Sequence, residues 1–322
     1  MKISVVIPLY NKAAHIKRAV DSVLSQTEQD FEIIIIDDGS TDGGGDIVKS
    51  YSDSRIKYAW QQNAGVSVAR NNGIKQAQAD FVGFLDADDE YAPKFIETVL
   101  ALRQKYPQAG IYSTAYSLVE ADGRKAQPKY LGMPNFPWEG LLLNYFESAL
   151  GAPPVSTITV GIPKAIFNIV GYFPAGEGLG EDLDMWFRIV LKYPVAFSSY
   201  EGAIYYRNAG NRCCNAYKTA DVYIKTIQTA IANGGVTKEY IPNVTGMLDK
   251  QLVLTASHCI VAGDKIIARQ YLSKAQSNIF KREKNYWLFW SYIPHPVFKV
   301  ILWFKLNILN RLVYIFNLKQ RI

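Results

Sequence analysis

Phe81-Val82-Gly83-Phe84-Leu85-Asp86-Ala87-Asp88-Asp89 is an apolar run of strand length that ends abruptly in three carboxylates within four positions. Clustered carboxylates repel one another, so a fold holds them together best around something cationic. Asp86 and Asp88 are two apart, and in extended backbone side chains at that spacing point the same way. A hard divalent ion takes one or two carboxylates and fills its other positions with water and substrate phosphates. The stretch therefore reads as a metal and diphosphate site at the end of a strand. The competing reading is a solvated acidic turn capping the helix that enters at Pro93, where Asp and Pro are both favoured.

Outward from that strand, residues 3 to 7 and 33 to 37 are short apolar runs too, and helical patterns fill 13 to 25 and 66 to 78. Alternating strand and helix predicts right-handed βαβ units in a mainly parallel sheet, with ligands outside the carboxyl ends of the strands. Polar punctuation follows each run: Pro8-Leu9-Tyr10-Asn11, then Asp37-Asp38-Gly39-Ser40-Thr41-Asp42, then the acidic stretch. All three loops are expected on one rim. A helix is expected from about Pro93 to Lys105, and strands near 110 to 118 and from Val155 to Val160. Residues 122 to 138, with Gly123, Pro128, Gly132, Pro134 and Pro137, read as a long loop of the kind that serves as a lid. A short amphipathic helix is expected over Glu181 to Leu191. Strand signals fade after Tyr205-Tyr206-Arg207, and most of 217 to 318 reads as helical.

The chain of 322 residues is 49% apolar, enough for a real core. Three cysteines, two of them adjacent at Cys213 and Cys214, argue against a disulfide framework, and the short apolar start is no signal peptide, so a cytoplasmic location is expected. Net charge is +6, but from Lys265 onward 11 Lys or Arg stand against Glu283 alone, so the tail carries +10 and the preceding 264 residues −4. Those basic residues alternate with Trp287, Phe289, Trp290, Phe298, Trp303 and Phe304, which favours the inner face of a membrane over nucleic acid. Over 296 to 318 the interruptions at Lys299, Lys305 and Arg311 exclude a clean apolar span. This segment reads either as a helix lying in the membrane surface, with peripheral contact through 287–318, or as one packing on the catalytic domain or a second subunit of a homodimer.

Five blocks, in order, resemble the family 2 inverting glycosyltransferases with the GT-A fold. They are Ser4 to Asn11, Ile36 to Asp42, Asn63-Ala64-Gly65 with Ala69-Arg70-Asn71, Asp86-Ala87-Asp88-Asp89, and Glu181-Asp182 with Trp186. The resemblance covers about residues 3 to 210. It implies an α/β, GT-A (Rossmann-like) catalytic domain over 1–215 and a helical C-terminal extension over 216–322. Within the catalytic domain it implies a nucleotide-sugar half to about 110 and an acceptor half beyond. The implied activity is metal-dependent hexosyl or N-acetylhexosaminyl transfer from a nucleoside diphosphate sugar, a UDP-sugar by preference, to a glycan or lipid-linked acceptor. The implied setting is polysaccharide or lipopolysaccharide synthesis.

By the same resemblance, Pro8, Tyr10 and Asn11 line the nucleotide pocket, and Asp38 hydrogen-bonds the base or ribose. Arg70 lies near the diphosphate. Asp88 is the direct ligand of a manganese or magnesium ion (Mn2+ or Mg2+), with Asp86 turned to the ribose or to water on the metal, and Asp89 behind them or capping a helix. Asp182 is the base that takes the acceptor proton. At a helix N-terminus its ionised form is favoured and its basicity lowered. Glu181 and Asp184 are expected to share its work at the acceptor, and Trp186 to position it or stack on a sugar, although capping and core packing are the ordinary roles of such residues. The family often carries a His after its Tyr-Arg; here the chain reads Tyr206-Arg207-Asn208-Ala209-Gly210-Asn211-Arg212, and Arg212 stands in for that charge over the diphosphate. Two rivals remain at this point, a sugar-nucleotide nucleotidyltransferase and an inactive sugar-nucleotide-binding scaffold. The first lacks the basic, glycine-rich phosphate loop it needs, and the second leaves the Asp86/Asp88 pair and Asp182 without a purpose.

Overall fold

The computed structural model describes residues 2–177, 179–207 and 219–304. The chain divides into two compact units, Met1–Val244 and Thr245–Ile322. The first opens with β1 (Ile3–Leu9), α1 (Ala13–Leu24), β2 (Phe31–Asp37), α2 (Gly44–Lys49), β3 (Ile56–Trp60), α3 (Val66–Gln76) and β4 (Phe81–Phe84). It continues with β5 (Glu90–Tyr91), α4 (Phe95–Lys105), β6 (Ile111–Val119), β7 (Lys125–Ala126), β8 (Glu139–Leu141), α5 (Tyr145–Ser148), β9 (Val160–Pro163), α6 (Lys164–Val170), α7 (Glu181–Val190), β10 (Val195–Tyr206) and α8 (Asp221–Ala232). All strands join one sheet of order β3-β2-β1-β4-β9-β6-β10-β5, with β7 on β6 and β8 on β10. The long ladders, β1 with β2, β2 with β3 and β6 with β10, are parallel; β9 and the short edge strands pair antiparallel. This is the mixed α/β sheet, flanked by helices, that the alternating pattern predicts.

The core runs along the parallel half because its strands are apolar on both faces. β2, Phe-Glu-Ile-Ile-Ile-Ile-Asp, is buried at every position, as expected where helices cover both sides of a sheet. On one side α1 supplies Ile16, Ala19, Val20 and Val23. On the other, α3 presses so close to β1 that a Cβ on Gly73 would stand 2.3 Å from Val6 Cγ1.

Pro8 sits near the end of a central strand, where a missing N–H would ordinarily cost a ladder bond. The carbonyl of Val6 faces β4, accepting from the N–H of Leu85, and Pro8, two residues on, faces the same way. The β4 pairing ends at Val6 with Phe84, so Pro8 lies beyond it, where the sheet opens.

Three expectations are corrected. Val155 to Val160 is not a strand: Ser156 and Thr159 form a capping box around a 3-10 turn at Thr157–Thr159, and β9 starts only at Val160. Residues 122–138 are not one uninterrupted loop; they carry β7, and Tyr130 and Phe136 pack on Phe197 with ring centroids 5.7 and 6.1 Å away. Asp89 caps no helix, because α4 starts after Lys94.

The second unit continues α9 (Ile241–Ala262) from the first and adds α10 (Lys265–Lys274), α11 (Lys281–Tyr292) and α12 (His295–Phe304). Asp249 ties its turn by accepting from the N–H groups of Gln276 and Ser277 at 3.0 and 2.5 Å. No described helix is long and apolar enough to cross a membrane. The expected tail helix beyond residue 304, and Arg212, lie outside the described residues.

Candidate active site

The carboxyl ends of β1, β2 and β4 open into a cavity of about 880 Å³, closed on its far side by the start of α7 and the end of β10. Asp42 shapes the β1 corner: its two oxygens accept from the N–H of Ala13 at 2.8 Å and of Gly44 at 3.0 Å, starting α1 and α2 together. Asn11 takes a left-handed φ of 51°, a conformation Asn tolerates, and its amide oxygen accepts from Thr41 N–H at 2.8 Å. These bonds pin the loop bearing Pro8, Tyr10 and Asn11, all of which line the cavity.

Asp38 lies at the β2 corner, nearly buried, and holds the neighbouring loop. Its Oδ1 accepts from Gln61 Nε2 and Ala64 N at 2.7 and 2.8 Å, and its Oδ2 from Gly65 N at 2.9 Å. Gly39, at φ 79°, makes the turn behind it. Asp38 therefore lines the cavity and at the same time fixes the entry of α3, from which Arg70 projects.

Arg70 is 4% exposed and bridges two walls: Nη2 donates to Asp86 Oδ1 at 3.0 Å and Nη1 to Glu181 Oε1 at 2.9 Å. Glu181 and Asp182 reach the cavity because Gly180 turns the chain into α7 at φ 82°. A side chain there would also press to 2.7 Å from the Cβ of Ala220. Thr157 Oγ1 donates to Asp182 Oδ2 at 3.4 Å, and the N–H of Leu183 to Asp182 Oδ1 at 2.7 Å.

Burial at the cavity wall and the charge of Glu181 push the Asp182 carboxyl up to about 6, against the opposing pull of Arg70. This reverses the expectation from the helix N-terminus. The Leu183 N–H bond does favour the ionised form, but desolvation outweighs it, leaving a carboxylate with the basicity of a proton acceptor near neutral pH. Burial and the charges of Asp86 and Asp88 likewise raise Asp89 well above the usual carboxylate range. Asp89 holds the end of β10 by accepting from Tyr206 N–H at 2.8 Å.

Asp88 meets Lys12, whose Nζ lies 2.6 Å from its Oδ2. Among the described residues no group of three or more His, Cys, Asp or Glu is arranged to hold a metal. The donor set still fits a hard ion: Asp86 and Asp88 are oxygen ligands at an open cavity, and Lys12 shows that the place beside Asp88 accepts a cation.

Of the residues marked in the sequence, Asp184 and Trp186 do not line the cavity. Asp184 is buried between Arg188 Nε at 2.8 Å and Thr226 Oγ1 at 2.5 Å, tying α7 to α8. Trp186 is fully buried against Phe173, with centroids 5.8 Å apart. Lys12, Arg18, Thr157 and Tyr206 were not marked. Arg18 donates to the Asp88 carbonyl and lies 3.6 Å over the Tyr206 ring, clamping the acidic turn to the end of β10. Only Lys12 gave a signal, a cation directly after Tyr10-Asn11.

Residues 4–154 match the profile described as Glycosyl transferase family 2. Glycosyltransferase GlyA of Streptococcus pneumoniae serotype 4 is 37% identical over 124 residues, 38% of this chain and 18% of that protein. The chain spans from 18% to 60% of the length of the curated relatives it matches. Among solved structures, S. aureus TarS 1-349 in complex with UDP-GlcNAc aligns with a TM-score of 0.60 at 20% identity, covering 84% of this chain and 88% of that one. The mannosyltransferase PcManGT from Pyrobaculum calidifontis, in complex with GDP-Man and Mn2+, aligns with a TM-score of 0.60 at 17% identity, covering 85% and 74%. The fold is the GT-A type that the sequence blocks imply.

Proposed function

We propose that the first unit moves a sugar from a nucleoside diphosphate sugar, in the first instance a UDP-sugar, to a hydroxyl of a glycan or lipid-linked acceptor with inversion at the anomeric carbon. One observation carries this reading: Arg70 ties the acidic end of β4 and the acidic start of α7 into the wall of a single cavity. The pairing of two carboxylate groups on opposite walls suits the two demands of the reaction. Asp86 and Asp88 face the leaving diphosphate, and Asp182 takes the proton of the attacking hydroxyl from the opposite face of the ring. The bonds from Thr157 and Leu183 hold Asp182 oriented for that transfer. Asp86 and Asp88 would hold Mn2+ or Mg2+, which when bound supplies charge opposite the diphosphate. TarS with UDP-GlcNAc and PcManGT with GDP-Man and Mn2+ support the choice of donor class and cation.

A thermal-shift panel of UDP-, GDP- and dTDP-sugars, with and without Mn2+, tests this. One donor at about 100 times its Kd should stabilise the protein by about 2.7 kcal/mol by mass action, and more with Mn2+ than without. No stabilisation by any donor overturns the proposal. Stabilisation without turnover over a range of acceptors favours the inactive scaffold.

The second unit supports peripheral contact with an anionic bilayer. On α11, Tyr286, Phe289 and Tyr292 follow one helix face and are exposed, Phe289 at 60% and Tyr292 at 69%; on α12, Val297, Val300 and Ile301 are exposed. Lys281, Arg282 and Lys299 are carried on the same two helices, and each basic side chain near an anionic surface is worth about 1 kcal/mol. Co-sedimentation should be seen with vesicles containing phosphatidylglycerol but not with phosphatidylcholine alone, and Phe289→Glu with Val300→Glu should abolish it. Equal sedimentation of wild type and variant overturns the contact, as does burial of this face in a concentration-dependent homodimer.

A further inference from the structure

Lys12 is the residue just before α1, and its ammonium lies 2.6 Å from Asp88 Oδ2 with both side chains largely shielded, at 13% and 15% exposure. The contact crosses 76 residues of sequence. The acidic turn is thus compensated at two points from two elements, Asp86 by Arg70 and Asp88 by Lys12. The two cations are not equivalent. Arg70 spans Asp86 and Glu181 with its planar fork, whereas Lys12 carries a compact point charge on a four-carbon stem at the cavity, beside Asp88, one of the two carboxylates proposed to hold a metal.

An ammonium and a divalent cation on the same carboxylate exclude or repel one another. The conflict is relieved when a diphosphate arrives, because its negative oxygens give the ammonium another partner within the same cavity. We infer that Lys12 makes divalent-cation binding conditional on the diphosphate: it holds the cation place on Asp88 in the empty site and passes to the phosphate oxygens when the donor binds. The cation and the nucleotide then bind with positive coupling, and by linkage each raises the affinity of the other by the same factor. This inference rests on the donor and cation reading above.

Mn2+ binding measured by calorimetry, with and without saturating UDP, tests it in wild type, Lys12→Gln and Lys12→Arg. Lys12→Gln should bind Mn2+ alone about tenfold more tightly than wild type, equivalent to about 1.4 kcal/mol. It should also bind UDP less tightly, so that the coupling factor falls. Lys12→Arg keeps the charge and should retain most of the coupling. Removing the competing charge tightens Mn2+ binding by itself; the accompanying fall in UDP affinity and in the coupling factor is what a merely structural ion pair would not produce. Unchanged or weaker Mn2+ binding by Lys12→Gln, in a protein whose wild type binds Mn2+ with UDP, overturns the inference alone. Failure of wild type to bind Mn2+ even with UDP overturns the cation reading beneath it.

Discussion

Asp182→Asn lowers sugar transfer by about 10² to 10⁴-fold, the usual contribution of a positioned general base, and leaves donor affinity within about twofold. The substitution keeps the shape of the side chain and an oxygen for the N–H of Leu183, so the start of α7 is retained. What it removes is a carboxylate held up to about 6 by burial and the neighbouring Glu181. The wild-type rate should accordingly fall as pH drops below about 6, approaching tenfold per unit, because the base is then protonated. That acid limb should vanish from the residual activity of the variant. Asp184→Asn, two residues on, provides the contrast: it weakens the contacts to Arg188 and Thr226 and so lowers stability, while the acid limb of the rate remains. Steady-state kinetics over pH 4.5 to 8 separate the two, and an unchanged acid limb in Asp182→Asn refutes the assignment of the base.

Arg70→Ala costs stability more than any other single change at the cavity. Removing one partner of a buried ion pair typically costs about 3 to 5 kcal/mol, and the lower end applies here because Asp86 keeps 29% side-chain exposure. For a unit of this size about 3 kcal/mol corresponds to a fall in Tm of roughly 6 to 12 °C. The loss also leaves Asp86, Glu181 and Asp182 facing one another without the guanidinium. Arg70 lowers the Asp182 carboxyl, so its removal raises it. Two outcomes follow in sign: the acid limb of any remaining activity moves to higher pH, and the stability gap from wild type narrows as acid protonates the cluster. Arg70→Lys recovers only part of the loss, because an ammonium cannot span both carboxylates as the planar fork does. Calorimetric melting at pH 5 and pH 7.5 checks this; an equal gap at both values contradicts it.

The parallel half of the sheet was legible because its strands are uninterrupted apolar runs and its helices carry one apolar face. β10 was not, since it bulges between Ser198 and Glu201 and again before Ala203, and Ser, Tyr, Glu and Gly in the middle of the strand break both strand patterns. β3 is a half-exposed edge strand with Lys57 as its second residue, and α2 is six residues long and begins Gly44-Gly45. At the candidate site, the Asp86/Asp88 pair could be marked from its spacing, and the other residues only from the resemblance of the sequence blocks. Pro8, Tyr10, Asn11, Asp38, Arg70, Asp86, Asp88, Glu181 and Asp182 all reach one cavity. Asp184 does not, and helical geometry states why: positions two apart on α7 point to nearly opposite faces. The basicity of Asp182 and the pairing of Lys12 with Asp88 were invisible because both depend on tertiary surroundings, desolvation in one case and a contact across 76 residues in the other.

Crystals soaked with Mn2+ and UDP, measured at the manganese absorption edge, test the cavity most directly. The expected result is an anomalous peak at bonding distance from a carboxylate oxygen of Asp88, shared with the pyrophosphate. Ordered UDP with no manganese beside Asp88, or a nucleotide bound away from the ends of β1, β2 and β4, would contradict it.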